Sequence, residues 1–428
     1  MTPATKTRTR LLGVDATRGI ALLGMMAVHS LLDEDSPGHA SLSFAIFGGR
    51  AAATFAVLAG VGMAFMTGRK RVRLADFGTT AAMLATRALM IGLIGLCLGY
   101  TDASYAAVIL PYYAILFLLA IPLVIQPSWA IGLVGVAVVT VVPPLTHVLQ
   151  QRLPEPPLTN PTFLDAMTHP LDLLTELSIT GEYPAIPWMA YVCVGLIVGR
   201  LSLARIKIAV ALLVTGTVMA VGAATASWVL LNKFGGLTAI WAAQPDSILT
   251  VPETTEMLNL GGDGTTPTST DWWLAVDAPH TGTAPDLVGT SGSAIALLGL
   301  LLLLGHLGTP WCRRIVAVVF TPLAAAGSMT LTLYTAHIMF LNSDYDTYDP
   351  GTGYLLQVIA VLLLALAWRA TAGKGPLEAL VTAVANWAKR RAGGGVVARP
   401  PIAATATRIG VSVGSAADRP AIGSGEQS

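Results

Sequence analysis

Leu11-Leu-Gly-Val-Asp15-Ala-Thr-Arg18-Gly-Ile-Ala-Leu-Leu-Gly-Met-Met-Ala-Val-His29 is an apolar run interrupted by three ionisable residues. Its length suits a helix crossing a hydrocarbon layer about 30 Å thick. Ionisable groups are costly at that depth and mark function by default. Asp15 and Arg18 are three apart, so they share a helix face and can pair. His29 lies eleven residues beyond Arg18, close to three full turns and about 16 Å further along the axis. One helix therefore presents a cation near one end and an imidazole near the other, on one side. No small-residue cleavage site follows, so the run is expected to stay as a membrane helix rather than be removed as a signal peptide.

The rest of the chain supports a membrane setting. Of 428 residues, 54% are apolar and 11% charged, against about 25% charged in ordinary soluble domains. A net charge of +1 leaves no basic excess for phosphate neutralisation and excludes a nucleic-acid partner. The composition also excludes an ordinary soluble enzyme. Ten stretches read as spans: 11–32, 43–66, 78–100, 106–125, 129–148, 184–201, 207–231, 284–305, 321–342 and 354–371. The expected fold class is an all-α polytopic membrane helix bundle of about ten transmembrane helices, because lipid offers no partner to open backbone groups. With both termini cytoplasmic, most of the 25 basic residues fall inside, including Arg69, Lys70, Arg71, Arg73, Arg200 and the cluster Lys389, Arg390, Arg391. The outside loops then hold only Arg152 and Lys233.

The implied organisation is a cytoplasmic segment 1–10, a transmembrane domain 11–371 with outer loops 149–183 and 232–283, and a cytoplasmic amphipathic helix 372–392. A disordered tail, 393–428, completes it. No internal repeat is apparent, which argues against an inverted-repeat transporter. Glycine-rich spans permit close helix packing and are compatible with a homodimer.

Arg50 and Arg87 are further cations expected inside spans, Arg50 in the outer half and Arg87 near mid-depth. Each needs a carboxylate, carbonyls or an anionic ligand; closing a helix–helix contact is the competing role. Six of the seven histidines, His29, His39, His147, His169, His280 and His337, fall toward the outside. His280 is preceded by Asp277 and followed by Asp286, either of which would orient it as a general base. Tyr112, Tyr113, Tyr183 and Trp188 read as an interfacial aromatic belt, with sugar stacking as the alternative. Cys97, Cys193 and Cys312 are read as free thiols. No histidine or cysteine spacing supports a metal, so none is expected.

Val14-Asp15-Ala-Thr-Arg18-Gly19-Ile20 resembles the opening helix of the heparan-α-glucosaminide N-acetyltransferase family. The likeness continues through Gly38-His39-Ala40-Ser41 and Arg50-Ala-Ala-Ala-Thr-Phe55-Ala-Val-Leu-Ala-Gly60. The family's catalytic histidine lies in a His-Ala-Ser stretch, which implies that role for His39. An asparagine occupies the position of His29 in the animal enzyme, so the resemblance leaves open whether His39 or His29 is the base. Arg18 and His29, ten residues between them, also resemble the Arg and His of membrane acyltransferases that decorate bacterial surface polysaccharides. Gly181-Glu-Tyr183-Pro184-Ala-Ile-Pro-Trp188, Ser328-Met-Thr-Leu-Thr-Leu-Tyr334 and Gly375-Pro376-Leu377-Glu378 are similar to bacterial membrane proteins of unassigned function.

The resemblance implies a plasma-membrane acyltransferase taking acetyl-CoA or another acyl-CoA from the cytoplasm. The acceptor would be an amine or hydroxyl of an extracytoplasmic glycan or glycolipid. Asp15, Arg18, Arg69, Arg71 and Arg87 would serve the coenzyme, and His39, His29 and Arg50 the chemistry. Tyr183, His280, Asp286 and His337 would face the acceptor. Besides acyl-CoA and acceptor, the partners are membrane lipids. A multi-pass transporter or lipid flippase is the alternative, since buried arginines and a large outer loop also suit a solute path. A scaffold for cell-envelope assembly is a third reading.

Overall fold

The computed structural model describes residues 12–36, 38–154, 156–307 and 309–393. The expected segment 1–10 and nearly all of the expected disordered tail lie outside the described residues. The fold begins with α1 (Leu12–Ser30) and a two-stranded antiparallel hairpin, β1 (Glu34–Ser36) and β2 (His39–Ala40). Then come α2 (Leu42–Phe47), α3 (Arg50–Met66), α4 (Leu74–Leu98), α5 (Leu110–Ala120) and α6 (Ser128–Gln150). Short helices α7 (Phe163–Thr168) and α8 (Pro170–Thr175) precede α9 (Ala185–Arg200) and α10 (Ile206–Asn232). Helices α11 (Gly236–Ala242) and α12 (Val251–Asn259) lie in the large loop. The chain continues with α13 (Ala284–Leu304), α14 (Pro310–Ala326), α15 (Thr330–Leu341), α16 (Pro350–Thr371) and α17 (Pro376–Ala392).

Local chemistry sets several of these starts. Thr283 accepts from the backbone of Asp286, and Asp349 from that of Thr352, each followed by a proline in the first turn. Thr250 and Glu253 form a reciprocal capping box at α12.

Among the described residues six helices are long and apolar enough to cross a membrane, or eight if each of two bent pairs is one span. The sequence reading of ten continuous spans is corrected in its regularity. The run 43–66 stands as one candidate span, Leu42–Met66, with an irregular turn at Gly48–Gly49 where Gly49 is at φ +64°, a conformation that glycine adopts without a Cβ penalty. The run 321–342 bends by 71° between α14 and α15. A 3-10 turn, Ile121–Ile125, with Pro122 in its first turn, follows α5. Apolarity alone does not register these breaks, because the residues around them are as apolar as a straight span.

α1 is central. It packs against α2, α3, α13, α14, α15 and α16, and most of its residues are buried. Helices α6, α10 and α16 instead turn large apolar side chains outward, among them Leu133, Val136, Val214, Val218, Leu355 and Leu363. A protein with polar groups at its centre and apolar groups on its rim is built for lipid. Helix α17, expected to float at the interface, packs on α4 and α15 with Val381 and Ala385 buried. Its Glu378 accepts from the Leu331 and Thr332 backbone N–H groups at 2.7 and 3.2 Å, capping α15 from another element.

Candidate active site

A cavity of about 930 Å³ runs alongside α1. Arg18 and His29 both line it, so the face expected from the sequence is the face that meets the cavity. Around Arg18 the lining adds Arg87 from α4, Met66 from the end of α3, the α14–α15 break at Gly327 and Ser328, and Lys374 and Glu378 near the start of α17. Around His29 it adds Asp33, Tyr113, Tyr183, Tyr334 and His280, and the loop that follows α12. The two ends are thus built from opposite ends of the same helices.

At the first end, Arg18 Nη1 is 3.2 Å from Asp15 Oδ1, and Nη2 donates to the Leu58 carbonyl at 3.4 Å. Asp15 is buried. Arg87 Nε is buried with no hydrogen-bond partner in the protein. An orphaned guanidinium N–H in a cavity wall shared with Arg18, Lys374 and Glu378 is chemistry suited to an anion.

At the other end two imidazoles meet. His29 Nδ1 and His337 Nε2 are 3.3 Å apart, and the rings stack at 5.5 Å with 5° between planes. His337 Nδ1 is 2.7 Å from Gln357 Oε1 on α16. Gln357 Nε2 in turn donates to Ser30 Oγ at 3.4 Å. A carbonyl oxygen only accepts, so His337 carries its proton on Nδ1. In a neutral ring Nε2 is then a lone pair, and His29 Nδ1 must donate to it. The Nε2 of His29 is left as a lone pair on a cavity-lining ring, the configuration of a general base.

Beside this pair lies an aromatic cluster. His280 stacks on Trp188 at 6.3 Å and meets the edge of Tyr183 at 5.3 Å. Trp188 also meets Tyr183 and Tyr191 edge-on. Tyr112, Tyr113, Tyr183 and Trp188 are all buried, so they form an internal cluster rather than the interfacial belt expected from the sequence. His280 sits at φ 55°, a left-handed conformation unusual for a side-chain-bearing residue. The loop 261–264 holds it there, with Gly264 N donating to the His280 carbonyl at 2.8 Å and Gly262 N to that of Pro279 at 3.1 Å. Burial pushes the His280 imidazole down to a pKa of about 4, so it is neutral at physiological pH.

Other expected positions fall elsewhere. His39 is exposed on β2 and is not among the cavity-lining residues. Arg50 lies within the candidate span Leu42–Met66, as expected, but is exposed at the first turn of α3 and donates to the Ala45 carbonyl at 2.7 Å. Arg69 and Arg71 lie on the turn after Met66, Arg69 over the Phe65 ring and Arg71 bonded to the Ile125 carbonyl; neither lines the cavity. Asp286 is buried as an acceptor for Gly282 N at 3.1 Å, and Asp277 accepts from Ser227. Neither reaches His280 Nδ1, which has no partner in the protein. The sequence reading missed Gln357, Asp33, Tyr334 and the loop 260–263. Gln357 was visible as a lone amide within an apolar run, and an uncharged polar residue at that depth is a usable signal.

No curated protein matches the chain. The family model described as the catalytic part of heparan-alpha-glucosaminide N-acetyltransferase matches residues 10–231, just over half of the sequence and the part that supplies α1 with Asp15, Arg18 and His29. The chain therefore belongs to the heparan-alpha-glucosaminide N-acetyltransferase catalytic-domain family.

Proposed function

We propose that this protein is a plasma-membrane acetyltransferase that takes acetyl-CoA at the Arg18 end of the cavity and an extracytoplasmic amine or hydroxyl at the His29 end. The observation that carries this reading is the single cavity with cations at one end and a proton-accepting imidazole at the other. Arg18, Arg87 and Lys374 bind coenzyme phosphates, and the apolar wall of Leu58, Ile91, Phe117 and Leu331 takes the pantetheine arm. Charge-assisted bonds from guanidinium to phosphate suit that task.

His29 is the base in this scheme. The acceptor amine or hydroxyl attacks the thioester carbonyl, and His29 Nε2 takes the proton that the attacking atom loses. As the C–S bond breaks, the same proton passes to the departing sulfur, giving the acetylated acceptor and free coenzyme A. Gln357 and His337 keep His29 in the required tautomer throughout. Arg50 and His39 receive no role in the transfer, because both stand away from the cavity.

The topology that fits has about ten crossings. The six single helices and two bent pairs are joined by α1 and by the shorter apolar run Leu110–Ile125. The basic turns and α17 then lie in the cytoplasm with both termini, which puts the Arg18 end where coenzyme A is made.

The deciding measurement is a thermal-shift titration of purified protein with acetyl-CoA, followed by coenzyme A release on adding amino-sugar acceptors. Saturable stabilisation is expected, weakened about tenfold or more in Arg87→Ala through loss of a charge-assisted phosphate contact. Absence of any acetyl-CoA response in folded protein would sink the reading.

A further inference from the structure

The turn after α3 and the last turn of α9 bring two arginines onto one short stretch of backbone. Arg71 Nε donates to the Ile125 carbonyl. The neighbouring Val72 N donates to the Val124 carbonyl at 3.0 Å, which pins the turn in place. Arg200 Nη1 donates to the Gln126 carbonyl at 2.8 Å, and Nη2 to that of Val124 at 3.2 Å. These carbonyls are consecutive and close the 3-10 turn that follows α5. They fix where the two guanidinium groups sit, yet a neutral carbonyl cancels no charge. Among the described residues neither arginine is in an ion pair, and the Arg71 charge acts on Arg200. Arg200 Nε is buried with no hydrogen-bond partner in the protein. Arg71 is exposed and engages only its Nε, which leaves its fork of Nη donors for another acceptor. Closing a contact between helices accounts for the carbonyl bonds. It does not account for two like charges held together with no carboxylate, an arrangement that an anion would relieve.

A second observation says which kind of anion. Ser128 Oγ, 3.4 Å from Arg200 Nη1, opens α6, whose start has no side-chain cap. The positive end of the helix dipole therefore lies beside the arginines. From there Trp129, Leu133 and Val136 follow at spacings of four and three, all exposed, along one outward face of a candidate membrane span. A tryptophan at the end of a span sits at headgroup level. A paired cation at the head of an apolar stripe matches a ligand with a phosphate at one end and hydrocarbon at the other. None of Arg71, Ser128, Trp129 and Arg200 lines the cavity beside α1, so a coenzyme held there does not reach them.

We propose that Arg71, Arg200 and Ser128 form a binding site for the phosphate of an anionic phospholipid, whose acyl chain lies against Trp129, Leu133 and Val136. The phosphate bridges the two guanidinium groups and accepts from the Ser128 hydroxyl. It thereby ties the turn after α3 and the end of α9 to the start of α6. Because α3 supplies Leu58, Ala59 and Gly62 to the cavity wall, the lipid braces that wall from outside. The site stands independently of the reaction carried out in the cavity.

The test is a thermal-shift titration of the full-length protein in neutral detergent with dioleoylphosphatidylglycerol, with dioleoylphosphatidylcholine and with free coenzyme A as a soluble source of phosphate. Phosphatidylglycerol is expected to stabilise saturably, at a half-maximal concentration at least about tenfold below that of phosphatidylcholine. Arg71→Gln should raise that concentration about tenfold, through loss of one charge-assisted contact. Removing charge from α17 by Lys389→Gln, Arg390→Gln and Arg391→Gln should change it by less than about twofold, which separates this site from general attraction of basic residues to anionic lipid. Should Arg71→Gln fail to fold, Trp129→Ala on the lipid face carries the same comparison. Equal responses to the two lipids, an unchanged response in Arg71→Gln, or loss of the response in the α17 variant overturns the proposal. A coenzyme A response that disappears in Arg71→Gln would assign the arginines to a soluble phosphate and overturn it equally.

Discussion

The proton on His337 Nδ1 decides what His29 can do. Gln357 Oε1 at 2.7 Å fixes that proton, and the 3.3 Å contact between the rings passes the choice to His29. His29→Ala should therefore lower kcat/KM by about 10²–10⁴ while leaving acetyl-CoA affinity unchanged, the usual span for a lost general base. His337→Asn retains an oxygen that accepts from His29 Nδ1–H, whereas His337→Phe retains none. Activity should survive better in the asparagine variant, and a comparison of kcat with both proteins shown to be folded checks it. Equal loss in the two would reduce His337 to a space-filling role. Little of this was legible in the sequence. Arg18 and His29 could be placed on one face by counting turns, but the partner of His29 lies 308 residues away and no local pattern announces it. The resemblance placed the catalytic role on His39, and the histidine at position 29 left open which imidazole is the base. In the fold one of these imidazoles lines the cavity and the other is exposed on a hairpin.

At the scale of helices, close approach does much of the positioning. α3 and α9 cross where a Cβ on Gly195 would run into the Val57 carbonyl and one on Gly60 into that of Val192. α3 supplies Leu58, Ala59 and Gly62 to the cavity wall, so this crossing sets the width of the site. Gly195→Leu should push the helices apart and destabilise the fold by about 1–3 kcal/mol, the ordinary cost of overpacking. A lowered melting temperature, with acetyl-CoA affinity lost in step, is the expected readout; an unchanged melting temperature would mean the crossing is loose. The bend at Gly327 works similarly, since a Cβ there would strike the Asp15 carbonyl on α1. Hydropathy located most of these helices to within a few residues, because apolar length is what it measures. It did not locate the bends, since a bend depends on which backbone is pressed against which glycine, and that is a property of the pair. The amphipathic stripe of α17 was equally plain in sequence, yet its partner is α4 and α15 rather than lipid alone, joined by Glu378 at the head of α15.

For the whole molecule, one electrical axis runs through the bundle. Arg18, Arg87 and Lys374, with Glu378 among them, mark one end of the cavity, and Asp33, Glu182, Glu256 and Asp263 the other. The same end that carries the cavity cations carries the turn Arg69–Arg73 and the helix α17 with Lys389, Arg390 and Arg391. Positive residues are retained in the cytoplasm during insertion, which in the proposed reading turns the donor site toward the compartment that holds acetyl-CoA. In the same proposed orientation the acidic end, with the loop Ser343–Asp349 beyond α15, faces outward. Cysteine labelling decides this. With Cys97, Cys193 and Cys312 replaced, Ser343→Cys should react with a membrane-impermeant maleimide in intact cells, and Lys389→Cys only after permeabilisation. Ser343 follows α15 and Lys389 lies in the last turn of α17, so the two report on opposite ends of the bundle and should never label together in intact cells. The reverse pattern would place the cationic end of the cavity outside, away from any coenzyme A. Acetyl transfer across the membrane from a cytoplasmic donor would then have no physical route through this cavity, whatever the state of His29.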